Sequence, residues 1–281
     1  GVSDYINRPF DAEVVHRRIF NMIKLYAKQR RLITLITNQV YEKEKNNRMM
    51  VGILSQIVEF RNGESGSHVL NINILTGMLL ERLVQRTDKY NVTWSERLLI
   101  TTASALHDIG KIGIDDKILN KPGRFTEEER EIMQEHTIIG ARILKNMEEY
   151  QDEELMRVAY QICRWHHERY DGKGYPDGLK GDEIPISAQV VSLADVYDAL
   201  VSERVYKKAC SHENAIQMIL NGECGTFNPI LLECLLDIQD RIKDKVKGST
   251  QEGNPFQKKE KTTKLQEFEH VKEDFMDTVS K

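Results

Sequence analysis

The sequence predicts a helical protein in which one long N-terminal helix leads into a helical domain. Three patterns favour this fold. Apolar residues recur at alternating spacings of three and four along residues 19–57, residues 95–106 alternate apolar and polar side chains at helical spacing, and residues 126–129 (Thr-Glu-Glu-Glu) form a capping box. With 281 residues, the chain is long enough for one good-sized domain with appendages or for two small domains.

The composition is that of an ordinary globular protein. Hydrophobic residues make up 40% of the chain and charged residues 30%, a balance that allows a core. The net charge of −4 gives no support for binding a nucleic-acid polymer. No apolar run approaches transmembrane length and no signal peptide opens the chain, so we expect no membrane partner and a cytoplasmic location. No CxxC pair occurs, and reduced, packed thiols are expected at Cys163, Cys210, Cys224 and Cys234.

Residues 1–20 contain a short extended run, a proline and the start of a helix. Pro9 ends the run, Asp11 can cap, and the helix follows from Ala12. This order resembles the last strand and last helix of a response-regulator receiver domain, with Arg8-Pro9 where that family usually has Lys-Pro. The resemblance implies an upstream receiver domain in a longer chain. The alternative is simply a capped helix.

Residues 12–50 are predicted to form a connecting helix. Several heptads with mostly apolar a and d positions favour a coiled coil, and Gln29, Lys43 and Asn47 on the same seam can fix its register. We therefore expect a parallel homodimer through this helix. The alternative is a helix that packs against its own domain, which we prefer for the part after Met49. The apolar seam consists of Ile19, Met22, Tyr26, Ile33, Ile36, Val40, Met50, Leu54 and Ile57.

A histidine and an aspartate are adjacent at His107 and Asp108, at the predicted C-terminal end of a helix that Gly110 and Gly113 stop. Adjacent residues on a helix diverge by about 100°, so the two side chains can reach one metal ion from different sides. On its own, this pair is better explained as a surface carboxylate beside a hydrogen-bonded histidine. The metal-binding interpretation depends on the rest of the chain.

Three further segments carry candidate ligands. Glu64 and His68 are four residues apart and can share one helical face. His136 lies on a stripe of isoleucines and should face inward, and His166-His167 end a helix with apolar residues behind them. Each of these is explained in isolation by a solvated pair or a hydrogen-bonded core histidine. Several histidines directed at one interior are harder to explain as packing alone.

An acid and a glycine-rich loop complete the set of unusual features. Asp195 lies within the apolar run of residues 190–196, and a buried carboxylate needs a cation as partner. Residues 171–178 contain three glycines and one proline, a composition that predicts turns. This loop is either a connector or a segment that lets the backbone and the Tyr175 ring approach a ligand closely.

The candidate ligands indicate a site with more than one metal ion. Imidazoles and carboxylates without thiolates suit iron, manganese or another first-row divalent metal better than a structural zinc. Eight ligands are too many for one ion, and Asp108 is a natural bridge. Two ions about 3.5–4 Å apart can activate a bridging water as hydroxide and stabilise a phosphoryl oxygen, which predicts phosphoester hydrolysis. The candidates are Glu64, His68, His107, Asp108, His136, His166, His167 and Asp195.

The motifs resemble those of the HD-GYP subgroup of HD-domain phosphohydrolases, over about residues 51–237. This resemblance implies an all-α, HD-type helical bundle at residues 51–245, followed by a polar linker and tail at 246–281. It also implies hydrolysis of cyclic di-GMP to pGpG, and in some members onward to GMP. The matching motifs are Glu64-Ser-Gly-Ser-His68, His107-Asp108-Ile-Gly-Lys111, His136, His166-His167-Glu-Arg-Tyr-Asp171-Gly-Lys-Gly174-Tyr175-Pro176, Ala194-Asp195-Val-Tyr-Asp198-Ala-Leu and Arg204-Val205-Tyr206-Lys207.

The resemblance also implies roles for single residues. Asp108 would be the bridging ligand, and Lys111 would lie beside the hydroxide and the scissile phosphate. Tyr175 would line the guanine or ribose pocket, while Arg204 and Lys207 would hold phosphate. Glu64 matches a glutamate that accompanies three-metal sites. The expected cofactors are therefore two or three divalent ions, with iron or manganese favoured.

The chain departs from the family pattern at positions that are not ligands. Asn71 stands where the family often has Arg, Val205 replaces a proline, and Asp115-Asp116 replaces Pro-Asp. None of these changes removes a ligand, and they bear on loop shape and substrate affinity rather than on the metal site. Two alternatives stay open beside a cyclic di-GMP phosphodiesterase in a bacterial two-component context. One is a module that binds a cyclic dinucleotide or a protein without hydrolysis. The other is a hydrolase of a different cyclic dinucleotide.

Overall fold

The computed structural model describes residues 11–61, 67–202 and 209–251, with side chains up to residue 243 in the last range. Every regular element within these ranges is helical, which confirms the predicted all-α fold. The described residues divide into two units, one of residues 11–47 and one of residues 48–61, 67–202 and 209–251. The α-helices are α1 (Ala12–Arg61), α2 (Ser67–Arg86), α3 (Trp94–Ala103), α4 (Asp116–Leu119), α5 (Glu127–Gln134), α6 (His136–Lys145), α7 (Glu154–Trp165), α8 (Ile186–Val201), α9 (His212–Leu220) and α10 (Pro229–Gln251).

The described part of the first unit is helical and carries an exposed apolar seam. Asp11 caps the start of α1 through a hydrogen bond from the Glu13 N–H to its carboxylate (2.7 Å), as its position predicts. Ile19, Tyr26 and Val40 on the predicted seam are 52, 54 and 50% exposed. These three residues of the seam are therefore half-exposed within the single chain.

In the second unit, residues 48–61 present two different faces. Val51, Ser55 and Val58 are buried, and the Ser55 hydroxyl donates to the Ala105 carbonyl (2.7 Å). The expectation that this part packs against its own domain holds for that face but is wrong for the seam itself. Met50, Leu54 and Ile57 are 59, 49 and 59% exposed, because the packing face is displaced by one residue from the seam.

The core of the second unit lies around α2 and α8. Helix α2 packs against α10, α8 and α3, and α7 packs against α6, α3 and α8. Full burial of each large aliphatic side chain contributes about 1.5–3 kcal/mol, so this core holds the helix ends in place. Residues at its centre include Ile72, Leu75, Leu79, Leu80, Leu83, Ile162, Val190, Leu193, Leu231 and Leu235.

The segment around His107 differs from the sequence prediction. Helix α3 ends at Ala103, and the chain tightens into two short 3₁₀ turns, Ser104–Leu106 and Ile109–Gly113. The residues at 110 and 113 therefore lie within the second turn and do not stop an α-helix. His107 and Asp108 occupy the junction between the turns, so a 3₁₀ turn constrains the backbone before and after them.

None of the helices in the described ranges combines enough residues with enough apolar character to cross a membrane.

Candidate metal centre

Four different helix ends and one helix interior bring the candidate ligands together. His68 is the second residue of α2, His136 is the first residue of α6, and His166-His167 directly follow α7. His107 and Asp108 lie between the two 3₁₀ turns, and Asp195 lies in the middle of α8. Ligands from such distant parts of the chain converge only because the core packs α2, α6, α7 and α8 around the His107 junction.

The structure sorts seven of the eight predicted ligands into two sets. The first set is Asp108, His136, His166 and His167, and the second is His68, His107 and Asp195. Within each set, one ligand atom per residue lies within 4.8 Å of every other. The first set offers three imidazoles and one carboxylate, and the second offers two imidazoles and one carboxylate. Mixed donor sets of this kind suit first-row divalent ions.

Asp108 lies between the two sets. Its Oδ1 is 3.3 Å from His136 Nε2 and 3.8 Å from His166 Nε2 in the first set. Its Oδ2 is 3.2 Å from His107 Nε2 in the second set. Asp195 closes the second set, with its Oδ1 3.7 Å from His68 Nε2. One oxygen of Asp108 thus faces each set.

The hydrogen bonds behind three of the imidazoles fix which nitrogen faces the centre. The Nδ1 atoms of His107, His136 and His166 lie 2.9, 2.7 and 2.9 Å from backbone carbonyl oxygens. A carbonyl can only accept, so in the neutral form of each ring Nδ1 carries the proton and Nε2 keeps its lone pair. This is the tautomer that binds a metal through Nε2.

Two buried atoms at the centre lack a hydrogen-bond partner among the described residues. They are His107 Nε2 and Asp108 Oδ1. Leaving a buried acceptor unsatisfied costs about 1–3 kcal/mol, and more for a charged group. A divalent cation would satisfy both atoms, so the residues present fit a metal centre.

The electrostatics of the site favour the metal-binding forms of most ligands. Burial, followed by the neighbouring His107, lowers the pKa of His166 to about 3, and burial also lowers the pKa of His167. Burial opposes the ionised form of Asp108, but Lys111 and His107 outweigh it and hold the pKa of this carboxyl well below its usual value. At neutral pH these two imidazoles are neutral and the carboxylate is charged.

His107 behaves differently in the metal-free protein. Burial disfavours its charged ring, but the carboxylates of Asp108 and Asp195 outweigh burial and raise its pKa to about 9. His107 therefore carries a proton at neutral pH in the absence of metal. His107 must lose this proton before its Nε2 can bind a cation. In the metal-free protein, the positive charge of the protonated ring takes the place of a metal ion beside the carboxylates of Asp108 and Asp195.

Lys111 lies next to the presumed bridge. Its Nζ is 2.6 Å from Asp108 Oδ2, three residues further along the 3₁₀ turn. Arg61, at the end of α1, donates to the carbonyl oxygens of Lys111 (3.1 Å) and Ile112 (2.6 Å). The sequence analysis did not identify Arg61, since only the packing of α1 shows that it holds the turn that carries Lys111.

Gly110 allows the 3₁₀ turn next to Asp108 to approach the start of α6, which carries His136. A Cβ at this position would lie 1.8 Å from the His136 carbonyl oxygen and 2.5 Å from the Gly140 backbone nitrogen. Only a residue without a side chain permits this approach of α6 to the 3₁₀ turn. The glycine predicted to stop a helix therefore brings His136 within reach of Asp108.

Tyr175 packs against a ligand ring. Its ring stacks on that of His167, with centroids 4.8 Å apart and planes 24° from parallel, and its N–H donates to the His167 carbonyl (3.3 Å). The buried carboxylate of Glu168 accepts from the backbone N–H groups of Asp177 (2.7 Å) and Gly178 (3.0 Å) and so folds the loop back. The sequence analysis missed Glu168, whose one signal was its position directly after His166-His167.

Three predicted site residues lie outside the described residues. They are Glu64, Arg204 and Lys207. The third metal ion and the phosphate contacts assigned to them stay predictions.

A family comparison matches the same part of the chain as these motifs. The model of the family described as "HD domain" covers residues 48–227. The chain belongs to the HD-domain family. The predicted membership of this family is therefore confirmed, and the match contains all seven ligands of the two sets.

Two curated relatives from Vibrio cholerae serotype O1 are similar over most of the chain. One, named "Probable cyclic di-GMP phosphodiesterase", is 38% identical over 84% of this chain and 56% of its own length. Another, named "3'3'-cGAMP-specific phosphodiesterase 2", is 37% identical over 73% of this chain and 37% of its own length. The chain thus spans about half the length, or less, of these relatives.

A solved structure shares the fold at lower identity. It is described as a cyclic GMP-AMP specific phosphodiesterase of V. cholerae and matches with a TM-score of 0.50 and 17% sequence identity. The match covers 73% of this chain and 53% of that one. It supports the HD-domain architecture of the helices described above.

Proposed function

We propose that this chain contains the catalytic part of a metal-dependent phosphodiesterase that hydrolyses cyclic di-GMP to pGpG, and further to GMP. The observation that carries the proposal is the meeting of two metal-ligand sets at one carboxylate, Asp108. A paired site of this kind suits the displacement of one phosphodiester oxygen by another. The name of the relative that is 38% identical supports the same reaction and substrate.

The proposed cofactors are two divalent ions, with iron or manganese favoured by the imidazole and carboxylate donors. His136, His166 and His167 would hold one ion, His68, His107 and Asp195 the other, and Asp108 would contact both. When bound, such ions supply Lewis-acid activation of water and stabilise negative charge on phosphate. A third ion held with the help of Glu64 is part of the proposal.

The remaining residues act on the substrate. Lys111 places an ammonium group beside Asp108, where it would attract a phosphate oxygen without being a ligand itself. Tyr175 would keep His167 oriented through the stacked rings and present its edge to the nucleotide. Arg204 and Lys207 would hold the second phosphate through charge-assisted hydrogen bonds.

A second substrate has support from one observation. The relative that is 37% identical is named for the specific hydrolysis of 3′3′-cGAMP. Both cyclic dinucleotides present the same phosphodiester to the metal centre and differ in one base. The described ligand sets would act on the phosphodiester that both compounds share, so they favour neither base. Parallel assays with both compounds measure the preference.

The test is to incubate manganese-loaded or iron-loaded protein with cyclic di-GMP, 3′3′-cGAMP and cyclic di-AMP in parallel and separate the products by chromatography. We expect linear pGpG from cyclic di-GMP as the fastest reaction and no reaction with the Asp108→Ala protein. Faster hydrolysis of 3′3′-cGAMP would reassign the substrate. Binding of a cyclic dinucleotide by metal-loaded protein without any linear product would favour a non-hydrolysing signalling module.

We further propose that the chain functions in a response-regulator context, in the cytoplasm. The helix α1 would connect an upstream receiver domain to the catalytic unit and pair with its copy along the exposed seam.

A further inference from the structure

His68 has a different hydrogen-bond partner from three other imidazoles of the centre. His68 Nδ1 lies 2.6 Å from Asp198 Oδ2, whereas the Nδ1 atoms of His107, His136 and His166 face backbone carbonyls. Asp198 is on α8, three residues after Asp195, and it is 0% exposed. The ligand His68 is thus held from behind by a fully buried carboxylate.

The second oxygen of Asp198 is also engaged. Asn71 on α2 donates through its side-chain amide to Asp198 Oδ1 (2.8 Å), and Asn71 is only 3% exposed. Because the amide is neutral, this bond satisfies the oxygen and orients the carboxylate without cancelling its charge. Asn71 consequently orients the Asp198 side chain toward His68.

The two aspartates of α8 therefore have different tasks. Asp195 points an oxygen at His68 Nε2 (3.7 Å) and His107 Nε2 (4.0 Å), inside the second ligand set. Asp198 contacts the opposite nitrogen of His68 and lies outside both sets. A carboxylate behind a ligating imidazole fixes the tautomer and makes the metal-facing nitrogen a stronger donor.

We infer that Asp198, held by Asn71, is a positioning residue that strengthens metal binding selectively at the set of His68, His107 and Asp195. This inference rests on the metal centre of the proposed function. It predicts that removing the carboxylate of Asp198 weakens binding of the ion at the set of His68 and not of the ion at the set of His136. Asp198 itself would contact neither ion. Partners behind ligating histidines typically change metal affinity about 10–100-fold, which sets the expected size.

The experiment isolates each set before changing Asp198. In the His136→Ala protein the set of His68 is left intact, and in the Asp195→Asn protein the set of His136 is left intact. Each background is made metal-free, titrated with MnCl₂ by calorimetry, and compared with and without Asp198→Asn. This substitution keeps the shape and an acceptor oxygen and removes the charge.

We expect Asp198→Asn to weaken the remaining Mn²⁺ site about 10–100-fold in the His136→Ala background and to change it less than about twofold in the Asp195→Asn background. The visible spectrum of bound Co²⁺ should change in the first background alone. Asp237→Asn is the matched control, because Asp237 is a carboxylate on α10 that pairs with Arg82 and Arg86 (2.8 and 2.5 Å). It should leave both sites unchanged.

The possible outcomes separate the inference from the proposed function. Equal weakening in both backgrounds, or no weakening in either, overturns the selective role of Asp198. If the unsubstituted protein binds no Mn²⁺ at all, the proposed metal centre fails instead. Should Asp198→Asn not fold, Asn71→Ala takes its place, with a smaller loss expected in the same background and equal losses in both backgrounds overturning the inference.

Discussion

At the scale of single residues, Lys111 separates metal binding from chemistry. Its Nζ contacts Asp108 but is not part of either ligand set. Lys111→Ala should therefore keep most of the metal and lower the turnover number about 10²–10³-fold, the usual cost of removing one group that stabilises developing charge. Metal analysis and steady-state kinetics on the same preparation check this prediction.

The control for that prediction is Lys89→Ala, because Lys89 forms an exposed ion pair with Asp182 (2.7 Å). It should keep both metal content and turnover. Normal turnover in the Lys111→Ala protein would remove Lys111 from the catalytic machinery. Loss of metal in that protein would mean that Lys111 maintains the ligand geometry instead.

Gly110 gives a second prediction at this scale. Gly110→Ala would place a Cβ against the backbone of α6, where neither neighbour can move aside as a flexible side chain could. We expect a loss of stability of at least about 1–3 kcal/mol, as for overpacking of a core, together with loss of metal from the set of His136. Thermal unfolding and metal analysis measure the two effects.

Gly52 provides the matched control for Gly110. It lies in α1 and a Cβ there would meet nothing within 4 Å. Gly52→Ala should stabilise the protein slightly, since alanine is the better helix former by about 1 kcal/mol. A Gly110→Ala protein as stable and as metal-rich as Gly52→Ala would contradict the close-approach argument.

Sequence reasoning reached some of these residues and not others for a physical reason. Inward histidines and a buried aspartate are recognisable because apolar neighbours surround them along the chain, and this placed His136 and Asp195 among the candidates. Asp198 and Arg61 act through contacts between helices far apart in sequence. Asp198 lies within one of the quoted motifs, but its contact with His68 became visible only through the packing of α2 on α8.

At the scale of elements, the seam on α1 gives a prediction about assembly. Ile36 is 40% exposed and Ile33 is partly buried within the single chain. Replacing both with Asp places charges on the predicted dimer seam, where burial without partners is costly, so dimers should dissociate into monomers. Light scattering over a range of concentrations checks the result.

Substitutions on the opposite face of the same helix are the control for the assembly prediction. Arg31→Asp with Asn38→Asp changes exposed positions away from the seam and should leave the dimer intact. A parent protein that is monomeric at high concentration would refute the pairing of α1. So would an Ile33→Asp, Ile36→Asp protein that stays dimeric.

The elements were predictable where periodicity was strong. Capping boxes begin α3 at Thr93 and α5 at Thr126, and the second was predicted from its residue types alone. The 3₁₀ turns around His107 were not predicted, because the apolar spacing of residues 95–106 is also that of an α-helix. The face used by residues 48–61 was missed because an apolar seam and a packing face one residue apart look alike in sequence.

At the scale of the whole molecule, the fold was predictable and the substrate is not. Helical periodicity and the order of the motifs along the chain sufficed for an all-α protein of the HD-domain family. The bases of a cyclic dinucleotide are recognised by contacts outside the metal-ligand sets, and the metal-ligand motifs do not specify those contacts. Relatives at 38 and 37% identity are named for different cyclic dinucleotides, so similarity over the whole domain does not decide that choice.

The dependence of hydrolysis on the number of bound ions tests the two-set centre most directly. Metal-free protein would be titrated with Mn²⁺ from zero to three equivalents, and pGpG release from cyclic di-GMP measured at each step. Because both sets meet at Asp108 and are proposed to act together, we predict a rate that stays low through the first equivalent and rises with the second. A rate that rises linearly and saturates at one equivalent, or hydrolysis that needs no metal, would contradict a paired metal centre.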